Sequence, residues 1–534
     1  MSINMGLKLG NRRLHLVFCR KNCFFFEQVK LKLKTRKQKI HILLVSLSFG
    51  KIYRNEGEKM EEKLSVCLLN DSFPPLIDGV ANTVMNYASI IEKNYGSAAV
   101  AVPYYPKAND ENYPYKVVRY PSLNTEKFFN YRAGYPFIPE ALDKIKEENI
   151  NIIHTHCPFA STVFARLLRK PLDAPVIFTY HTKFDVDIAR TVGNKFIQEK
   201  VISRLVKNIE ACDEVWVVSE GAGENLRSLG YKGEYVVMPN GVDIPKGKIP
   251  AEDIEKITSG YDLPKDIPIF LFVGRMAWYK GLDTILEALS AIKEKEYDFR
   301  MVFIGGGLDF EEVKKYSEEL GLSEKCIFTG PIHDRYAIRA WYCRANAFLF
   351  PSVYDTNGLV VREAAACALP SVLIKCSCAA EGISDGETGY LCENSPESFA
   401  EKLRAICENP KEAESIGKNA MEKIYISWED SVANAVKRYE IVLENYRAGK
   451  YQREETFTEE WFRAEGEILE SINRAKKYPK NIKNEMVYYG KEAIAVSKKA
   501  AASFKNRSIK IKTKTVENGR KIKKAVYEKI EKYI

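Results

Sequence analysis

Short apolar runs bounded by turn formers recur through the middle of the chain: Leu64 to Leu69, Ala98 to Val102, Ile150 to Ile153, Val176 to Thr179, Glu214 to Val218 and Tyr235 to Met238. Runs this short with little alternation predict strands covered on both faces, as in a parallel sheet lined by helices. Helical or loop segments separate them. A second alternating set begins with Ile269 to Val273 and includes Ala347 to Phe350, followed by a helix predicted over Leu359 to Cys367. The implied class is α/β, two doubly wound Rossmann-like domains facing a cleft, with the turn-rich stretch Pro239 to Pro250 as the hinge. Length alone would allow three or four domains at 534 residues, but the pattern argues for two large ones.

In an open parallel sheet, ligands sit at the carboxyl ends of the strands, where helix-start amides are free to hold phosphate oxygens. Three such loops carry chemistry. The segment Phe350 to Glu363 (FPSVYDTNGLVVRE) sets Asp355 and Glu363 eight positions apart around Gly358, with Glu363 one turn into the predicted helix. Two carboxylates so placed suit the hydroxyls of two different sugar rings, which a nucleotide sugar contains. The segment after Val273 delivers Arg275 and Lys280 together. A guanidinium binds diphosphate oxygens in a bidentate way and an ammonium adds a compact charge, so the pair can stabilise a departing nucleoside diphosphate. Gly305 to Gly307 follows a third strand and permits close backbone approach to phosphate.

From about Leu64 to about Leu443 the chain resembles the retaining nucleotide-sugar glycosyltransferases of glycosyltransferase family 4, which have the GT-B fold. The resemblance rests on Val273-Gly274-Arg275 with Lys280-Gly281, the Gly305 loop and the acid-x7-Glu element ending at Glu363. Asp71 to Val80 (DSFPPLIDGV), Ile153 to His156, Thr179 to Thr182 and Pro239 to Asp243 carry it further. It implies that Arg275 and Lys280 bind the diphosphate and Glu363 the nucleotide ribose. Asp355, with the backbone around Asn357, Gly358 and Leu359, would hold the transferred sugar. Gly79 and Gly305 would approach the donor closely, and His181 would contact the sugar near the reacting carbon. No protein nucleophile is implied, so leaving-group stabilisation and acceptor positioning carry the catalysis. The family usually has Glu and Phe where this chain has Asp355 and Asn357, which shortens the contact to the sugar.

Charge is uneven. Residues 1–59 carry a net +11 and residues 474–534 a net +14, so the chain total of +10 leaves −15 for the residues between. Ile522, Val526, Ile530 and Ile534, spaced by four among lysines, predict a basic amphipathic helix suited to an anionic membrane surface. The basic ends lack an aromatic stacking platform and the body is acidic, so nucleic acid is not an expected partner. Residues 1–59 lie outside the family resemblance. The run Glu56-Gly57-Glu58-Lys59 can be encoded by a purine-rich ribosome-binding sequence, so translation is expected to begin at Met60. The alternative for this segment is a basic membrane-facing arm, since Ile40 to Phe49 is apolar yet too short to span a bilayer.

The twelve cysteines form no metal or disulfide spacing, which fits reduced thiols in a cytosolic compartment. Asp185-Val186-Asp187 looks like a metal-binding acid pair, but the Arg275 and Lys280 charges make a metal unnecessary. His154 and His156 flank a strand end and have both structural and functional readings; His181 is expected to face the cleft. The expected division is a basic extension over 1–59, an acceptor domain over 60–245 and a donor-binding domain over 246–428. A helix over 429–448 would cross back, and a basic helical extension would occupy 449–534. The expectation is a hexosyltransferase at the inner face of the cell membrane, with UDP-glucose as donor, no cofactor, and a membrane lipid such as diacylglycerol as acceptor. A soluble sugar or polysaccharide acceptor and a non-catalytic nucleotide-sugar-binding partner protein are the alternatives, with phosphorylase or epimerase chemistry a more distant one.

Overall fold

The computed structural model describes residues 3–9, 12–18, 63–126, 131–136, 139–191 and 193–451. They belong to two units, Met1–Glu62 and Lys63–Ile534. In the first, β1 (Ile3–Leu9) and β2 (Arg12–Phe18) pair antiparallel, with Leu9 opposite Arg12. The expectations for residues 19–59 and for the C-terminal amphipathic helix around Ile522 to Ile534 fall outside the described residues.

The second unit contains two parallel sheets. The first comprises β3 (Leu64–Leu69), β4 (Gly96–Pro103), β5 (Lys116–Tyr120), β8 (Ile152–Thr155), β9 (Val176–Tyr180), β10 (Glu214–Val217) and β11 (Val236–Val237), in the order β11-β10-β9-β8-β3-β4-β5. A short antiparallel pair, β6 (Ser122–Leu123) with β7 (Ala133–Gly134), follows β5. The second sheet comprises β12 (Ile269–Val273), β13 (Arg300–Ile304), β14 (Cys326–Gly330), β15 (Ala347–Phe350), β16 (Ser371–Ile374) and β17 (Tyr390–Cys392), in the order β14-β13-β12-β15-β16-β17.

The period of two along each strand divides the core. Val66 and Leu68 of β3 face the helix Gly79–Asn94, while Cys67 and Leu69 face the helix Ala160–Leu172. Two predicted boundaries shift for physical reasons. The strand expected over Ile150 to Ile153 runs over Ile152–Thr155, because Asn151 meets β3 partly through its side chain: its N donates to Ser65 O, but Ser65 N donates to its Oδ1 at 2.9 Å. The strand expected over Tyr235 to Met238 contracts to Val236–Val237, an edge strand whose two residues are only half buried.

The chain returns to the first sheet through the helix Trp428–Arg447, capped by Ser427, whose hydroxyl accepts from Asp430 N. Its buried face, Trp428, Val432, Ala435, Val436, Tyr439 and Val442, packs with Val66, Leu68 and Trp216 in one cluster. Burying each of its larger side chains contributes about 1.5–3 kcal/mol. Arg438 fixes the helix azimuth with two 2.8 Å hydrogen bonds to Glu214. The connecting segment Pro239 to Pro250 is tied on both sides. Ser431 Oγ donates to Pro239 O at 2.7 Å, and Gly247 N donates to Ala366 O at 2.8 Å.

Candidate active site

The loops following β12, β13 and β15 meet at the carboxyl edge of the second sheet. Lys280 ends a 3-10 turn, Trp278–Lys280, and its Nζ lies 2.5 Å from Asp355 Oδ1. Seventy-five residues apart in sequence, the two form a largely buried ion pair. The other carboxylate oxygen, Asp355 Oδ2, is buried and has no hydrogen-bond partner among the described residues. Gly281 makes the approach possible. Its φ is +77°, and a Cβ there would stand 2.8 Å from Pro351 Cγ. Arg275 is exposed beside this pair in sequence. Lys280 and Asp355 were expected to act on different parts of a ligand; here each is the other's partner.

Glu363 lies one turn into the helix Leu359–Ala366 and is buried. Arg335 Nη2 donates to its Oε1 at 2.6 Å and Tyr342 Oη donates to its Oε2 at 3.0 Å. Both partners come from the helix Arg335–Arg344, and the sequence analysis singled out neither. Burial, then the Glu363 charge, push the Tyr342 hydroxyl well above its usual range, so it stays a donor.

The segment between Asp355 and Leu359 touches the other sheet. Thr356 Oγ1 donates to His181 O at 2.5 Å, and Ser219 Oγ donates to Thr356 O at 2.5 Å. Glu381 reinforces the junction by accepting from Glu220 N and Gly221 N, at the start of the helix Glu220–Ser228, at 2.7 and 2.6 Å. Asn357 is buried, with Arg362 Nη1 donating to its Oδ1 at 2.7 Å and to its backbone oxygen at 2.8 Å. That guanidinium sets the amide orientation, and the Asn357 Nδ2 donor is left buried without a partner among the described residues. Gly358 is left-handed, with φ 57°, and a Cβ on it would meet Ala379 Cβ at 2.8 Å. Leu359 opens the helix directly after it.

Across this junction lies a chain of histidines. His181 Nε2 and His156 Nδ1 are 2.9 Å apart, and the His156 ring lies 4.1 Å from that of His154. His154 is held by Tyr439 Oη at 2.6 Å and Thr179 Oγ1 at 2.7 Å. Burial lowers the pKa of His181 to about 3 and takes His154 and His156 well below their ordinary value. All three are therefore neutral near pH 7. A neutral imidazole can share hydrogen bonds with a sugar hydroxyl without adding charge. His156 Nε2 is buried and unpartnered among the described residues.

The glycine loop has an internal reason for its composition. Gly305 has φ +144°, and a Cβ on it would lie 1.8 Å from Gly274 O; one on Gly307 would lie 2.1 Å from Met276 O. These glycines let the loop after β13 pack on the loop carrying Arg275. At Gly79, the first residue of its helix, a Cβ would meet nothing within 4 Å.

Two doubly wound parallel sheets, joined through their loops and bridged by a returning helix, are the arrangement of the GT-B glycosyltransferases, and the comparisons agree. A model described as "Glycosyltransferase Family 4" matches residues 77–246, and one described as "Glycosyl transferases group 1" matches residues 253–423. The chain is a glycosyltransferase of the GT-B fold. It is 24% identical over 396 residues to an α-monoglucosyldiacylglycerol synthase of Streptococcus pneumoniae, covering 73% of this chain and 88% of that protein. A protein of the same name from Acholeplasma laidlawii is 22% identical over 381 residues, covering 67% and 92%. Among solved structures, Anabaena HepE in complex with UDP-glucose covers 72% of this chain and 100% of its own, with a TM-score of 0.55 at 16% identity.

Proposed function

We propose that the enzyme transfers glucose from UDP-glucose, with retention of anomeric configuration, to the hydroxyl of a membrane-borne diacylglycerol at the inner face of the cell membrane. The observation that carries the transferase site is the Lys280–Asp355 pair at the loop that Thr356 ties to His181. In this reading the cation serves the leaving diphosphate and the carboxylate beside it serves the transferred sugar. The glucolipid acceptor and glucosyl donor are supported by the names of the two relatives and by the ligand of the structural neighbour.

In this reading Arg275 and Lys280 bind the diphosphate and stabilise the charge that develops on it as the glycosidic bond breaks. Glu363, held by Arg335 and Tyr342, accepts the ribose hydroxyls. Asp355 Oδ2 accepts from the sugar while Asn357 Nδ2 donates to it; both atoms are otherwise unpartnered among the described residues. Gly79 and the Gly305 loop admit the donor backbone-close, and neutral His181 hydrogen-bonds the sugar near the reacting carbon. The two cations supply the counter-charge, so turnover proceeds without an added metal. Residues 60–245 bind the acceptor and residues 246–428 the donor, with the basic chain ends drawn to anionic lipid.

The test is incubation of the full chain with a panel of nucleotide sugars, with and without diacylglycerol vesicles and chelator, following nucleotide release and the anomeric signal of the product. An α-glucosyl lipid formed from UDP-glucose in the presence of chelator is the expected result. Release with a soluble sugar acceptor only, or a β-linked product, overturns the reading.

A further inference from the structure

In its first turn the helix Lys195–Glu210 leaves two large apolar side chains exposed, while Val201 and Ile202 already pack on the core. Phe196 is 66% and Ile197 50% exposed, while Leu205, Val206 and Ile209 at the other end are buried. Large apolar side chains this exposed and adjacent call for a partner. Lys195, Lys200 and Arg204 are exposed around them, and Lys200 Nζ stands 5.3 Å over the Phe196 ring. An apolar groove of about 330 Å³ runs beside them, lined by Phe159, Phe196, Ile197 and Val201, with Lys200 and Arg204 at its rim.

Topology places this surface. The helix ends at Glu210, four residues before β10 begins, and β9 and β10 are parallel. Sixteen residues of helix span roughly 24 Å, so its first turns lie at the opposite, carboxyl edge of the sheet. His181 follows β9 at that edge. Phe159 follows β8 there, three residues after His156. The apolar surface continues past Phe159 to Tyr131, whose ring is 6.2 Å away.

We infer that the first two turns of the helix Lys195–Glu210, with Phe159, form a bilayer-docking surface, in which Phe196 and Ile197 enter the acyl region and Lys195, Lys200 and Arg204 meet anionic headgroups. Apolar wedges beside cations are the chemistry of an interfacial helix; three cations against the exposed carboxylate of Glu199 leave the surface net positive, which favours anionic over purely zwitterionic lipid. The inference deepens the lipid-acceptor reading and rests on it: docking at this edge presents a diacylglycerol hydroxyl toward the histidine side of the site without extracting the lipid.

The test uses the full chain and phosphatidylcholine vesicles with and without phosphatidylglycerol. A Phe196→Trp variant reports position through quenching by brominated acyl chains; Lys232→Trp, exposed in the connection leading into β11 at the amino edge, is the control. Quenching at 196 and not at 232 is expected; equal quenching at both, or none at 196, overturns the surface. Paired substitutions, Phe196→Ser with Ile197→Ser and Lys200→Glu with Arg204→Glu, should each slow glucosyl transfer on anionic vesicles about tenfold or more. Transfer to a short-chain diacylglycerol in detergent should stay within about twofold. Wild-type rates on vesicles in both pairs also overturn it. If the wild type glucosylates no diacylglycerol while the indole at 196 is still quenched, the acceptor reading fails and the surface stands.

Discussion

Lowering the pH from 7 to 5.5 should destabilise this protein through three histidines that touch no acid. His154, His156 and His181 are buried, and burial holds His181 at about 3 against an ordinary 6.5, with the other two also well below that value. The folded state thus keeps all three rings neutral at pH 5.5, while the unfolded chain protonates them. Because the folded values are the lower ones, the penalty is absent well above pH 6.5 and grows as pH falls toward 3. Between pH 7 and 5.5 it amounts to about 1.2 kcal/mol for His181, and His154 and His156 add to it in the same direction. Asp71 opposes it. Burial raises its carboxyl to about 6 despite hydrogen bonds around Cys157 and Ser161, so the native state gains a proton over the same interval, offsetting about 0.8 kcal/mol. A net loss should appear in urea unfolding followed by tryptophan fluorescence at half-unit pH steps, since His181 alone outweighs Asp71. His181→Asn should remove about 1.2 kcal/mol of that loss, which isolates this ring from every other titrating group. An unfolding midpoint that does not fall toward pH 5.5, or a pH slope unchanged by His181→Asn, would refute the reasoning.

Lys280→Met strips Asp355 of its partner and the diphosphate of a cation, and should lower kcat by about 10²–10³ in a nucleotide-release assay; a change confined to KM would count against a transition-state role. Tyr342→Phe leaves Glu363 Oε2 buried without its donor, so urea unfolding should show a loss of about 1.5–3 kcal/mol and the donor KM should rise; unchanged values of both would separate Glu363 from the site. Gly358→Ala forces a left-handed alanine against Ala379, 2.8 Å from its new Cβ, and should cost about 1–3 kcal/mol, measured the same way; full stability would mean that the loop refolds around it.

Much of this fold was legible because buried parallel strands are near-continuous apolar runs. Ile269–Val273 and Ala347–Phe350 begin and end where those runs do. His154 and Thr155 were not legible as strand, since polar residues break the run and only their partners, Tyr439 and Thr179 for His154 and Thr162 for Thr155, explain their burial. In the site, the residues standing at strand ends could be picked out: Arg275, Lys280, Asp355, Glu363 and His181. Their holders could not. Arg335 and Tyr342 sit on an amphipathic helix with no turn signal, and Arg362 looks like an exposed helix position. Glu381 reaches Glu220 across 161 residues of sequence, a separation that no local pattern reports.

The returning helix has a consequence for the order of synthesis. The first sheet is complete by Val237, yet one face of it, covered only in part by the helix Gly79–Asn94, waits for Trp428, Val432, Tyr439 and Val442. On the ribosome the rest of that face stays open while the whole second sheet is made, some two hundred residues later in the chain. Domains usually settle in the order they emerge; here the earlier one cannot close until the later one has passed. A nascent chain halted at Tyr425 should therefore remain protease-sensitive in its first sheet, and release past Arg447 should protect both halves together.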